Sequence, residues 1–198
     1  MALHRELERY YTNEFTVTAC APMAGAYDLS GVTAADFLSG REMPNPYYFA
    51  FLLGSYQQAY GLGASLAELL VPPYDTTLPP LLDGNHSESE LDAAMPRVPV
   101  TILKPGLMAD FQTNANNVLR VALRDNDLTQ WRPVAPMRLW HCSGDQDVAF
   151  ANSQAATNQF YLQGVRGIQL INTVPEGDHG ACVQPSVLDA LTWFDTFP

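Results

Sequence analysis

From Met137 to Phe194 the sequence alternates strand, helix, strand and helix, which restricts this part of the chain to an α/β architecture. Met137-Arg-Leu-Trp-His-Cys142 is rich in strand formers. Asn152–Gln163 reads as a helix that Gly164 and Gly167 end, and Gly167-Ile-Gln-Leu-Ile-Asn-Thr173 alternates as a strand should. Ser186 is placed to cap a last helix whose apolar stripe is Val187, Ala190, Leu191 and Phe194. Strands joined through a helix lie parallel in one sheet.

The first residues extend the pattern. Leu3, Leu7, Tyr10 and Tyr11 recur at helical spacing among Arg5, Glu6, Glu8 and Arg9, and no capping residue precedes them. Phe15-Thr-Val-Thr-Ala-Cys20 follows as a strand, stopped by Pro22. A helix leading into a strand is half of a crossover unit, so the partner strand is expected before residue 1. Between the two α/β pieces lies a proline-punctuated, largely helical stretch. It holds a helix over Tyr47–Tyr60, a short helical piece over Ser65–Leu70, a capping box at Ser87 and Glu90, and a helix over Phe111–Asn126. The expected organisation is a core piece over residues 1–32, a helical cap insertion over 33–136, and a second core piece over 137–198. The fold class is α/β, with about three parallel strands. A sheet that small leaves one edge unpaired, which points to more sheet outside these residues or to self-association through the edge.

Composition narrows the partners. Ten basic against 21 acidic residues give a net charge of -11. Phosphate backbones and anionic lipid surfaces attract basic proteins, so neither nucleic acid nor a membrane surface fits. No apolar run approaches the ~20 residues of a membrane span, and the charged opening MALHRELERYY is not a signal peptide. Cys20, Cys142 and Cys182 match no zinc spacing, and no phosphate loop or dinucleotide fingerprint occurs, so no cofactor is expected.

Two loops carry the chemistry. HCSGDQDVAF (His141–Phe150) follows one strand and opens a helix; GDHGAC (Gly177–Cys182) follows the next strand and precedes the last helix. The first resembles the acid loop of α/β-hydrolases, commonly H-G-x-x-D-x-x-V-P. His141, Asp145 and Val148 match, whereas Cys142 replaces the usual Gly and Ala149 the usual Pro. The second occupies that family's position for the catalytic histidine, and the order acid then histidine also suits it. CAPMAGAYDLSG (Cys20–Gly31) resembles the segment leading into the cap of secreted bacterial lipases and esterases of this superfamily. The resemblance implies Asp145 as triad acid and His179 as base, in a parent enzyme that is secreted or periplasmic. Asp147 is the local rival to Asp145 as triad acid and Asp28 a distant one; the other reading of Asp145 and Asp147 is as turn and N-cap residues. The resemblance also implies that the loops bearing Cys142 and Cys182 meet; a disulfide there or two free thiols both fit.

The nucleophile is missing. No G-x-S-x-G occurs in the 198 residues, and a triad works only when histidine takes the proton of an attacking group. Ser55 lies mid-helix. Ser143 and Ser153 lie near Asp145 but in no strand-to-helix elbow, and Cys142 beside two carboxylates would be a poor thiolate. His4 and His86 have no matched partners and read as solvated; Trp131, Trp140 and Trp193 read as packing residues. The expectation is the C-terminal portion of a serine carboxylesterase or lipase, inactive alone, whose parent takes a small-molecule ester. A non-catalytic remnant or interaction module on the same scaffold, and a fragment of an α/β-hydrolase peptidase, are the alternatives.

Overall fold

The computed structural model of the protein describes residues Met1 to Pro198. In chain order its regular elements are α1 (Ala2–Tyr10), α2 (Ala34–Leu38), α3 (Tyr47–Tyr60), α4 (Tyr74–Thr77), α5 (Glu88–Ala93), α6 (Pro105–Thr113), α7 (Val118–Asp125), β1 (Met137–Trp140), α8 (Ala151–Leu162), β2 (Ile168–Ile171) and α9 (His179–Phe194). They form two compact units, one of residues 1–33 and 127–198, the other of residues 34–126.

In the first unit β1 and β2 pair in parallel, with Met137 opposite Ile168 and Trp140 opposite Ile171. Both faces of this sheet are covered, so its residues divide by alternation rather than into wet and dry sides. Met137, Leu139 and Ile168 pack with Ala156 and Phe160 of α8, and with Tyr27, Trp131 and Val165. Trp140 points to the opposite face and packs with Ala190 and Trp193 of α9, while Ala19, Ala21, Ile171 and Phe197 close the cluster. Arg138 shares that face, its guanidinium 4.9 Å from the Trp193 ring centre.

The regular sheet therefore has two strands, where the sequence pattern called for about three. The segment expected as the third meets β1 only at two parallel bridges, Cys20 with Met137 and Met23 with Trp140. Pro22 explains the reduction. Cys20 N donates to Pro136 O, Cys20 O accepts from Arg138 N, Pro22 O accepts from Trp140 N, and Ala24 N donates to Trp140 O. The one ladder bond missing from that series is the N–H that Pro22 does not have. Residues 15–19 join no ladder.

Helix α1 also departs from expectation. His4 is buried rather than solvated: its Nε2 lies 2.8 Å from Glu8 and its ring stands edge-on to Trp131. Glu8 accepts hydrogen bonds from Val134 N and Ala135 N just before β1. Those donors, with His4, hold its carboxyl below the usual range although burial pushes the other way.

Residues 127–136, assigned to the insertion by sequence pattern, belong to the first unit. Leu128 N donates to Tyr27 O, and both backbone N and Oγ of Ser30 bond to the Asp127 carboxylate. The points where the chain leaves this unit and returns are thereby fastened together.

The second unit is helical apart from one isolated antiparallel bridge between Leu70 and Leu103. α3 ends at Gly61, whose φ of +66° is the left-handed stop that glycine adopts without a Cβ penalty. Ser87 and Glu90 form the expected capping box on α5. The single helix expected over Phe111–Asn126 is two, because the run Asn114-Ala-Asn-Asn117 stops α6 and Asn117 caps α7 through Arg120 N. His86 bonds to Asp83 at 2.9 Å. No helix of the chain is long and apolar enough to cross a membrane.

Candidate active site

The loop after β1 and the turn after β2 leave the same ends of two neighbouring parallel strands, so they meet. Three contacts lock them together. Cys142 and Cys182 form a disulfide, Asn172 bonds to both backbone N and Oγ of Ser143, and Ser143 Oγ accepts from Glu176 N. Gly144 lies so close to the Glu176 backbone that a Cβ would run into its carbonyl. Glu176 itself is held at φ +64°, a left-handed conformation rare for a residue with a side chain.

Asp145 sits at the centre of this junction with its carboxylate fully covered. Its Oδ1 accepts from the backbone N–H groups of Asp147 and Val148, forming a turn. Its Oδ2 faces His179 Nδ1 at 2.7 Å and His141 Nε2 at 3.2 Å. Burial alone would raise the Asp145 pKa, but the donors from His141, His179 and Val148 outweigh it and hold the carboxyl well below the usual carboxylate range.

His179 was expected in a loop, with the last helix starting near Ser186. It is instead the first residue of α9, which Asp178 caps by accepting from Ala181 N at 2.7 Å. The helix continues through Pro185, and Ser186 lies buried in its interior. Starting a helix on the histidine fixes its backbone in a rigid element. Its side chain is 27% exposed and lines a cleft of about 130 Å³ with Met23, Ala24, Trp140, Cys182 and Val183. The hydrogen bond to Asp145 raises the His179 pKa above 6.5; desolvation opposes this, and the charges of Asp145, Asp147 and Asp178 add to it.

The other candidates are placed elsewhere. Asp28 accepts from Gly31 N and Val32 N and so shapes its own turn. Ser55 lies inside α3 in the second unit. Ser143 is occupied in the loop junction, Ser153 bonds to His141, and the Cys142 thiol is consumed in the disulfide. One residue near the site was singled out only as a motif position: His141, fully buried behind Asp145, which joins it to Ser153.

No protein-family model matches the chain, and no curated protein matches it. Solved structures do. A point mutant of the rice cell wall degrading esterase LipA from Xanthomonas oryzae superposes with a TM-score of 0.85 at 22% identity, covering 100% of this chain and 55% of that one. A ligand-bound form of the same esterase gives 0.79 at 25% identity, with coverage of 96% and 50%. A Legionella pneumophila protein assigned as a hydrolase gives 0.82 at 24% identity, with coverage of 98% and 52%. The chain has a hydrolase-type fold, and it spans about half the length of the solved structures it matches.

Proposed function

We propose that these residues are the acid-and-base half of a serine ester hydrolase, with Asp145 as the triad acid and His179 as the general base. The observation that carries this reading is the 2.7 Å hydrogen bond from His179 Nδ1 to Asp145 Oδ2. Between such residues the bond fixes the imidazole tautomer, which leaves Nε2 as the basic nitrogen. The cleft beside His179 gives a reacting group a place to sit.

The attacking serine comes from polypeptide outside these residues. Several features support that. No serine here sits on a strand-to-helix elbow. The Cys20–Met23 segment pairs only with β1 and leaves its other edge open. Val183, Leu188 and Leu191 expose more than half of their surface along α9, an unusual concentration of apolar residues for a helix face left to water. The similar solved structures are about twice as long.

In the complete enzyme the serine Oγ attacks the ester carbonyl and passes its proton to His179 Nε2. Asp145 orients the imidazole and stabilises the imidazolium. His179 then protonates the leaving alkoxide, and water enters by the reverse sequence to release the acid. The second unit, residues 34–126, is read as the cap insertion of such an enzyme, in keeping with its place in the sequence between the two halves of the first unit. Ester substrates are favoured because the similar LipA structures are of an esterase.

A fluorophosphonate probe tests the assignment. Applied to the polypeptide translated with its upstream coding sequence, it should label a serine in a G-x-S-x-G ahead of Met1 and none of the serines numbered here. Labelling of Ser55, Ser143 or Ser153 would overturn it.

A further inference from the structure

We propose that His141 is a positioning residue that aims the Asp145 carboxylate at His179, with its own ring held in one tautomer by Ser153. The inference rests on the reading of Asp145 and His179 as acid and base, and it concerns how the acid is held.

His141 follows the last residue of β1 and has no exposed surface. Its backbone N–H donates to Ile171 O, which ties it to both strands, and its ring stands edge-on to Phe150. Nε2 lies 2.9 Å from Val148 O and 3.2 Å from Asp145 Oδ2. A carbonyl and an ionised carboxylate can only accept, so Nε2 must carry a hydrogen. In the neutral ring Nδ1, 2.7 Å from Ser153 Oγ, is then the acceptor, and the serine hydroxyl donates to it. Ser153 lies in the first turn of α8 and is itself fully buried. The ring is thus fixed by a strand, a loop carbonyl and a helix.

The consequence falls on Asp145. Its Oδ1 is pinned by two backbone N–H groups, which leaves Oδ2 free to swing about that point. The His141 N–H fixes Oδ2 on that arc, on the same oxygen that receives His179 Nδ1. Buried polar groups need every partner satisfied, and here one imidazole, one hydroxyl and one carboxylate satisfy each other.

The test uses the whole 198-residue chain and reads the rings directly by 15N-edited NMR. His141 should appear as the neutral form protonated on Nε2, and His179 should titrate above an ordinary histidine with a downfield Nδ1 proton. His141→Leu should lower the His179 midpoint and remove the downfield proton, with the far-UV circular dichroism unchanged. His141→Gln, whose amide nitrogen can replace the Nε2 donor, should restore both. Ser153→Ala should shift the His179 midpoint in the same direction as His141→Leu, and to a smaller extent. His141 protonated on Nδ1 in the unmodified chain would overturn the proposal, and that measurement needs no variant to fold. So would a folded His141→Leu chain whose His179 titrates as before. The failure of the hydrolase reading is a separate outcome, because it would leave these spectra intact while no ester activity depends on His179.

Discussion

At the scale of single residues, the junction between the two loops depends on atoms that a small change would displace. A methyl group at position 144 would meet the Glu176 backbone, which is already in an unfavourable left-handed conformation and is tethered by Ser143. Gly144→Ala is expected to destabilise the first unit by about 1–3 kcal/mol, the usual range for forced overpacking, read as a lower thermal midpoint. Titration follows from the same geometry. The His179 pKa is raised, so its protonated form stabilises the fold; that contribution is complete below 6.5 and is lost as pH rises through the folded value. The Asp145 pKa is depressed, so its ionised form stabilises above about 3.8 and the contribution disappears as pH falls through the folded value. As the proposed general base, His179 must be neutral to take a proton. The acid limb of kcat/KM in the complete enzyme is therefore expected above pH 6.5, and Asp147→Asn should move that limb toward lower pH by removing one of the charges that raise it.

At the scale of elements, the site is a product of where two strands end and one helix begins. Asp145 and His179 were legible as a pair because each follows a strand, and adjacent parallel strands bring such loops together. The start of α9 was not read correctly, since Pro185 looks like a helix stop and Ser186 like a cap. Asp178, three residues before Ala181, was the available signal: it caps a helix that runs on through Pro185 with Cys182, Ser186, Ala190 and Trp193 buried along it. The third strand was overestimated because β-propensity over Phe15–Cys20 does not register that Pro22 removes a central ladder bond. The burial of His4 and the role of His141 were hidden, because each depends on a partner brought close only by the fold: Trp131 for the first, Ser153 for the second. The cysteine pairing stayed open in the sequence, and the structure joins the acid loop to α9 through it. The bridge spans 40 residues, which the loop-entropy relation converts to about 4 kcal/mol. Cys142→Ala with Cys182→Ala is expected to lower stability to urea by an amount of that order. It should also weaken the downfield His179 signal, because the bridge is one of the three ties between the loops.

At the scale of the whole molecule, the Asp145 carboxylate and the His179 imidazole are held together by several ties beside a sheet edge that pairs on one side only. The sequence made the α/β class and the two loops readable. It could not tell how few regular strands would form, since that depends on single missing N–H groups. The most direct test is hydrolysis of a short-chain nitrophenyl ester, measured for this polypeptide alone and for the polypeptide extended by its upstream coding sequence. The 198-residue chain should show no turnover above buffer, and the extended chain should show turnover that His179→Ala reduces on the order of 10⁴-fold or more. Turnover by the shorter chain, or turnover by the longer one that is indifferent to His179, would contradict the assignment.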